Sequence, residues 1–209
     1  MRRHEERRIF WIVGAFFLII QSITTITYLQ AGQPQNLLWF CNHTPILLSI
    51  AFFLKKKDII KTVLNVGLIP QAIWSIDFII RLLFGIFPFG VTAYMFEHVH
   101  GWSFIGSVLA HVFSSILAFG LVYRYRQSRR TLIYSAVYLL ILFSASLLFS
   151  ASAENINMVR YLELGDIDFP GYTALWPILA FVLVVLPTFW LQRSISGRYH
   201  RRHSAFTRK

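Results

Sequence analysis

Residues 9–54 read IFWIVGAFFLIIQSITTITYLQAGQPQNLLWFCNHTPILLSIAFFL, and this stretch decides the fold because it contains no Asp, Glu, Lys or Arg. A helix that crosses a bilayer needs about 20 mostly apolar residues, so the stretch is long enough for two spans. The polar segment 30–36 in its middle is suited to a tight connection. The sequence therefore begins with a predicted pair of membrane-spanning helices.

The composition of the whole chain agrees with this start. The 209 residues are 56% hydrophobic and only 14% charged, whereas a soluble domain carries about a quarter charged residues. This composition excludes a disordered chain and argues against a soluble globular domain. The single cysteine, Cys41, excludes an intrachain disulfide and a cysteine-rich metal site. The predicted fold class is an all-α polytopic membrane protein with a single membrane domain.

A hydropathy window of about 19 residues predicts six apolar segments. The first is longer than the apolar region of a signal peptide, which runs to about 7–15 residues, so it is interpreted as a span. Pro177 and Pro187 are expected to kink the sixth segment. The predicted spans are 9–29, 37–54, 62–84, 103–123, 132–150 and 172–191.

The basic residues predict the orientation of this six-helix bundle. All but two of the 20 Lys and Arg residues fall on one side of the six-span arrangement, and the exceptions are Arg81 and Arg160. Because Lys and Arg collect on the cytoplasmic side, both termini are predicted to be cytoplasmic, with residues 192–209 as a basic tail. The net charge of +11 is thus explained without nucleic acid. The predicted location is a bacterial-type inner membrane, with membrane lipids as partners and protein partners left open.

Polar side chains from several predicted spans lie in the outer half of the membrane. A polar group within the hydrocarbon is unfavourable and is usually retained for function. Four helices supply such groups, so the simplest explanation is one polar cavity that opens to the outer side. Asn65 is the main polar residue of the inner half. The outer groups are Cys41, Asn42, Gln71, Trp74, Asp77 and His111 within the spans, with Glu154, Asn155 and Asn157 after the fifth span.

Each of these residues also has a purely structural interpretation. Asp77 can pair with Arg81 one helical turn later, and His111 can be a hydrogen-bonded packing residue. Cys41 can be an inert small apolar side chain. Glu154 and the two asparagines that follow it can order a loop. Four such coincidences at one depth favour a functional pocket over separate explanations.

The leading functional hypothesis is an enzyme that acts on lipid acyl groups, either an acyltransferase or a hydrolase. Cys41 is the predicted nucleophile, His111 the base, and Asp77 the residue that orients the imidazole. A thiol at this depth can reach an ester near the lipid headgroup. No cofactor is predicted. The predicted substrate-binding residues are Asn42, Gln71, Trp74, Tyr94, Glu154, Asn155 and Asn157.

Two other classes of function remain open. The protein can be a small transporter or ligand sensor that uses Asp77 and His111, although the sequence shows no repeated halves. It can also be a non-catalytic membrane assembly factor. A metal site at Glu97, His98 and His100 is not favoured, because the chain carries no established metal-binding motif.

Four short motifs resemble the YwaF-like family of bacterial multi-spanning membrane proteins. They are WFCN at 39–42, GLIPQA at 67–72 with the following Asp77, the histidine His111, and ENIN at 154–157. Eukaryotic relatives of that family include an integral-membrane phospholipid acyltransferase with an essential cysteine. Trp39 and Phe40 stand where those relatives have a histidine-rich context. The resemblance implies a six-helix fold and a lipid acyl substrate handled through Cys41 and His111.

Overall fold

The computed structural model describes residues 3–97, 99, 101–162 and 169–206. In this part of the chain the regular elements are helices, joined by turns and loops, and there is no β-strand. Within this part of the chain, five helices are long and apolar enough to cross a membrane. This architecture is that of a multi-pass helical membrane protein, as the hydropathy predicts. The five helices are His4–Gln30, Lys57–Phe84, Gly101–Val122, Arg130–Phe149 and Tyr172–Arg201.

The second predicted span, 37–54, differs from the other five because it is divided into two segments. A 3₁₀ helix, Pro34–Leu38, is followed by Trp39 in an extended conformation (φ −56°, ψ 130°), and α2 begins only at Phe40 and ends at Phe53. The backbone N–H of Phe40 donates a hydrogen bond of 2.7 Å to Oδ1 of Asn157, far along the chain. A side chain from a distant loop therefore satisfies a donor in the first turn of α2, which hydropathy cannot reveal.

The central helix of the bundle is α3 (Lys57–Phe84). It packs against α2, against α7 (Arg130–Phe149) and against the long helices Gly101–Val122 and Tyr172–Arg201. Gly85, in the left-handed region at φ 75°, ends α3. Its backbone approaches α2 closely at Gly67, where a Cβ atom would lie 2.3 Å from the Phe40 ring. Only glycine permits this approach, which holds the start of α2 against the middle of α3. The helices introduced so far and their neighbours are α1 (Arg3–Gln30), α2 (Phe40–Phe53), α3 (Lys57–Phe84), α4 (Ala93–Glu97) and α7 (Arg130–Phe149).

The third of the five long helices, Gly101–Val122, contains a π-helical segment. Helix α5 (Gly101–Val108) continues into the π segment Leu109–Phe113 and then into α6 (Ser114–Val122). Ser114 Oγ donates to the carbonyl of Leu109, five residues earlier. Such widened turns occur frequently at functional sites, and this one contains His111.

The last long helix is widened in the same way. Helix α8 (Tyr172–Ala180) leads through the π segment Phe181–Val185 into α9 (Leu186–Phe206). Pro187 explains the widening, because its ring lacks an N–H and clashes with the carbonyl four residues earlier. The helix continues well beyond the predicted span end at residue 191. Much of the segment predicted as a basic tail is therefore helical.

Two apolar clusters form the core. The larger one is centred on aromatic side chains of α1 and α2, with Phe10 and Phe52 in an edge-to-face pair whose centroids are 5.2 Å apart. The smaller one contains Trp74, Phe78 and Met95 and lies where α4 packs against α3. Large apolar side chains such as Leu148 are instead exposed on the outside of the bundle, as expected of surfaces that face lipid.

Candidate functional site

The imidazole of His111 is buried on the π segment with one nitrogen committed and the other free. Nδ1 lies 2.7 Å from the carbonyl oxygen of Ser107. Because a carbonyl can only accept, Nδ1 of the neutral ring carries the proton and Nε2 is the acceptor. Nε2 is buried and has no hydrogen-bond partner in the described part of the chain. The Ser107 carbonyl thus presets His111 as a proton acceptor at Nε2.

Gln71 supplies a second buried polar group without a partner. Its Oε1 accepts a hydrogen bond from Ser115 Oγ, and its Nε2 has no partner among the described residues. Trp74, one turn after Gln71, stacks on the His111 ring with a centroid distance of 4.1 Å. Ser115 lies one turn after His111. A free amide donor and a free imidazole acceptor therefore border the same interface between α3 and the α5–α6 helix.

Cys41 lies in the first turn of α2 beside a network of amide and phenol groups. Its Sγ is 3.7 Å from Asn42 Oδ1. Asn42 Nδ2 donates to the hydroxyl of Tyr28 at 3.0 Å and to the carbonyl of Asn36 at 2.8 Å. Pro45 has no N–H to donate to the carbonyl of Cys41 four residues earlier, which weakens the first turn. Cys41 is therefore placed by Asn42, which ties α2 to α1.

Two aromatic residues continue the contacts of His111 towards α4. Trp74 stacks on His111, and its Nε1 donates a 3.2 Å hydrogen bond to the hydroxyl of Tyr94. Among the described residues no hydrogen bond or ring contact joins Cys41 directly to His111. The two predicted catalytic residues therefore belong to separate sets of contacts in this structure.

The carboxylate of Asp77 holds a loop. Oδ1 accepts from the backbone N–H groups of Phe89 (2.7 Å) and Gly90 (3.2 Å). Oδ2 accepts from the N–H of Thr92 at 2.9 Å and from its hydroxyl at 2.7 Å. These four bonds use both oxygens, and the predicted contact with His111 is not among them. The group that orients the His111 ring is the Ser107 carbonyl.

Arg81 does not pair with Asp77 either. Its guanidinium donates to the carbonyl of Gly85 and lies over the rings of Phe87 and Phe96, at 4.6 Å and 5.6 Å from their centroids. Arg81 and Asp77 therefore act on the same connection separately. Together they hold the aromatic segment that carries Tyr94 against the C-terminal end of α3.

The three predicted residues after the fifth span organise the loop and the start of α2. Glu154 accepts from Gln35 Nε2 at 2.7 Å and from the N–H of Ala151 at 2.8 Å. Asn155, at φ 40°, accepts from the N–H of Arg160 at 3.0 Å. Asn157 accepts from the N–H of Phe40, as described above, and donates to the carbonyl of Leu38 and to Ser146 Oγ. These side chains position the residue next to Cys41.

Residues outside the predicted catalytic and substrate-binding sets also contribute to this site, and of these only His43 is marked in the sequence, as a polar residue within a predicted span. His43 Nε2 lies 2.6 Å from the hydroxyl of Tyr138, and its Nδ1 lies 3.3 Å from the carbonyl of Leu37. Both nitrogens of His43 are thus engaged, unlike those of His111. Tyr28 and Tyr138 read as ordinary aromatic residues of a membrane helix. Only the packing of α1 and α7 against α2 brings their hydroxyls to this position.

The described residues contain no group of three or more His, Cys, Asp or Glu side chains that could hold a metal ion. His98 and His100 of the predicted loop site lie outside the described residues. A cavity of about 410 Å³ is lined by Arg160 and residues 169–173. None of the predicted site residues lines that cavity.

Comparison with protein-family models, with curated proteins and with solved structures gives no match for this chain. The resemblance to the YwaF-like family therefore stays a prediction.

Proposed function

We propose that the chain crosses an inner membrane six times with both termini on the cytoplasmic side. Helix α2 is 14 residues long, about 21 Å at 1.5 Å per residue. The preceding 3₁₀ helix adds about 10 Å, and together they match a hydrocarbon core of about 30 Å. Six crossings also leave nearly all Lys and Arg residues on one side.

We propose further that the outer polar site transfers or hydrolyses lipid acyl groups, with Cys41 as nucleophile and His111 as general base. The observation that carries this proposal is the free Nε2 of His111, whose other nitrogen is held by the Ser107 carbonyl. General base catalysis requires an imidazole in this state. His43 lacks a free nitrogen, so it does not compete for the role.

The chemistry assigns each unpaired group a task. His111 Nε2 takes the thiol proton of Cys41, and the thiolate attacks the ester carbonyl of a lipid. Gln71 Nε2 donates to the carbonyl oxygen as negative charge develops there. The ester C–O bond breaks, and the leaving alcohol takes the proton from the imidazolium. Water or a second alcohol then attacks the thioester and releases the acyl chain.

We place the acyl ester between the thiol of Cys41 and the imidazole of His111. Tyr94, whose hydroxyl accepts from Trp74 beside the His111 ring, comes from α4, which follows the loop that Asp77 holds. In this proposal Asp77 positions the loop that contains Phe89 and Thr92. Asn42 and Asn157 hold the start of α2 against its neighbours.

The experiment uses the single thiol of the chain. Purified protein in lipid vesicles is incubated with phospholipid that carries labelled acyl chains, and protein-bound label is released with hydroxylamine. Any thioester has to be at Cys41, because no other cysteine exists. We expect the adduct in the native chain and in His43→Gln, its loss in Cys41→Ala, and at least a hundredfold slower formation in His111→Ala. Absence of adduct, with unchanged lipid turnover in Cys41→Ala, would refute the enzyme.

A second candidate function is ligand sensing or transport, which the free donor of Gln71 and the free acceptor of His111 also favour. A small ligand with one acceptor and one donor would satisfy both groups without any covalent step. In that case His111→Ala abolishes the ligand response, and Cys41→Ala leaves it intact. Solute uptake or ligand-dependent thermal shift in the two variants separates this candidate from the enzyme.

A further inference from the structure

A second polar cluster lies at the opposite end of the bundle, around Asn65 of α3. Asn65 Nδ2 donates to Ser135 Oγ at 3.1 Å. Its Oδ1 accepts from Gln192 Nε2 at 2.7 Å and from Gln127 Nε2 at 3.1 Å. Asn65, Ser135 and Gln192 are all fully buried or nearly so. The cluster joins α3, α7 and α9 through side-chain amides and hydroxyls.

Polar atoms at this cluster remain unpaired although they are buried. Lys61 has no solvent exposure, and its ammonium has no hydrogen-bond partner in the described chain. The Oε1 atoms of Gln127 and Gln192 and the hydroxyl of Thr188 are unpaired as well. Gln192 Nε2 also lies 3.3 Å from the backbone carbonyl of Lys61, and Lys61 is one helical turn before Asn65 on the same side of α3, so Lys61 belongs to this cluster. A buried ammonium without a partner is strongly unfavourable. The cluster is therefore suited to bind a group that pairs with this ammonium.

The spacing of the residues on α9 shows that the polar face points inward. Thr188, Gln192 and Ser196 recur every four residues and are all buried, so they form one stripe that faces α3. Lys61 is the charged member of the cluster. Asp58, one turn earlier, lies within electrostatic range of it, but the structure records no salt bridge between them. The described chain therefore supplies no anion in contact with the Lys61 ammonium.

We propose that this inner cluster binds an anionic phosphate group in a molecule that also has O–H donors, on the phosphate itself or on an attached glycerol. The anionic oxygens accept hydrogen bonds from Lys61, and the O–H groups donate to the free amide oxygens of Gln127 and Gln192. Inorganic phosphate and the glycerol phosphate headgroup of an anionic phospholipid share this chemistry. A simple carboxylate would satisfy Lys61 but leave both glutamine oxygens unpaired.

The position of the cluster suits such a ligand. Gln127 belongs to the connection between α6 and α7 and is only partly buried, so displacement of this connection opens the cluster without unfolding a helix. Exposed basic residues at the same end of the bundle raise the local concentration of anions. These residues are Lys55, Lys56, Arg126 and Arg129.

The test is a ligand-dependent shift of thermal unfolding in purified protein. Two probes are used: inorganic phosphate added to protein in nonionic detergent, and phosphatidylglycerol against phosphatidylcholine in nanodiscs. Lys61→Met removes the buried charge. Lys56→Met is the matched control, because it makes the same substitution at an exposed lysine of the same end. Gln192→Glu introduces a carboxylate into the cluster. This carboxylate takes the place of the ligand anion as the partner of Lys61.

We expect at least one probe to raise the unfolding midpoint of the native chain and of Lys56→Met by several degrees. Lys61→Met and Gln192→Glu should each lose the shift, with at least tenfold weaker binding. A shift with both probes identifies phosphate itself as the ligand, and a shift with phosphatidylglycerol alone identifies the lipid headgroup. Equal shifts in the native chain and Gln192→Glu, or no shift with either probe, overturn the proposal. Cys41→Ala should retain the shift, which separates this site from the outer one.

Discussion

Two polar clusters differ in which atoms they leave unpaired: the outer cluster around Cys41, Gln71 and His111, and the inner cluster around Lys61 and Asn65. At the outer cluster the free groups are an amide donor on Gln71 and a neutral imidazole acceptor on His111. At the inner cluster they are the ammonium of Lys61 and two amide oxygens. A free imidazole acceptor is suited to moving a proton, whereas a fixed ammonium is suited to holding an anion. The pairing of buried groups is thus the basis on which we propose a reactive site at one cluster and a binding site at the other.

The two clusters are also built in different ways. The outer cluster depends on backbone partners, such as the Ser107 carbonyl and the loop N–H groups held by Asp77. The inner cluster depends on contacts between side chains of packed helices, centred on Asn65. The outer site is therefore expected to respond to changes in loops, and the inner site to changes in helix packing.

The largest loss of stability is expected from Asp77→Ala, which changes the outer cluster alone. The substitution leaves the N–H groups of Phe89, Gly90 and Thr92 without their acceptor. Hydrogen bonds to a charged group are worth about 1.5–3 kcal/mol each, so we expect a loss of about 3 kcal/mol or more in the free energy of unfolding. The thermal midpoint measured with a thiol-reactive dye on Cys41 checks this. Asp77→Asn, which keeps one acceptor oxygen, should lose less, and the phosphate response of the inner cluster should persist.

The corresponding change at the inner cluster is Asn65→Ala. It removes the oxygen that accepts from the amides of Gln127 and Gln192, and each amide then keeps one longer contact, to Thr131 Oγ and to the Lys61 carbonyl respectively. A buried hydrogen bond lost in this way costs about 1 kcal/mol, and the bond to Ser135 is lost as well. We expect a destabilisation of about 2–3 kcal/mol, read from the same midpoint. Thioester formation at Cys41 should be unchanged in the folded fraction. Loss of that chemistry would show that the two clusters are not independent.

A smaller effect is expected for Asn157→Ala, which removes the acceptor for the Phe40 N–H. Loss of a helix cap costs about 0.5–2 kcal/mol. Because Cys41 follows Phe40 directly, its rate of maleimide labelling should rise severalfold as the first turn of α2 frays. Asn36→Ala is the matched control, because its side chain bonds only Gln33 at the surface. Equal labelling of both variants would show that the cap does not hold the thiol.

The smallest effect is expected for Glu6→Gln. Glu6 forms a 2.6 Å salt bridge with Lys57, and both side chains are partly exposed. Such pairs contribute about 0–1 kcal/mol, so the midpoint should change by a few degrees at most and less in high salt. Thioester formation at Cys41 and the phosphate-dependent shift of the unfolding midpoint should both be unchanged. A large effect would assign this surface pair a structural role that its exposure does not predict.

Hydropathy predicted the long helices well but missed several boundaries, since α1 also begins at Arg3 and α3 at Lys57, before the predicted starts at 9 and 62. Helix α2 begins later than residue 37 because the Asn157 side chain and the extended Trp39 define its start. Helix α9 extends past residue 191 because its polar residues lie on one buried stripe. Average hydropathy counts how apolar a segment is, and it does not register which face of the segment is buried.

The candidate sites were predictable to different degrees. Cys41, Gln71 and His111 could be singled out because they are polar residues within apolar segments. The roles of Asp77 and Asn157 could not, since their partners lie in loops far away along the chain. Apart from Asn65, the residues of the inner cluster were not predicted. Lys61, Gln127 and Gln192 each lie at or near a predicted helix end, where polar residues are common.

The amino-acid sequence by itself determined that this chain is helical and bound for a membrane, because length and apolarity are local properties of each segment. Only the tertiary structure decided which polar atoms find partners and which do not. That distinction depends on contacts between helices and loops distant in the chain, such as Asn157 with Phe40 or Gln192 with Asn65. Hydrogen bonding requires atoms within about 3 Å of each other, and no linear pattern of residues reports that distance.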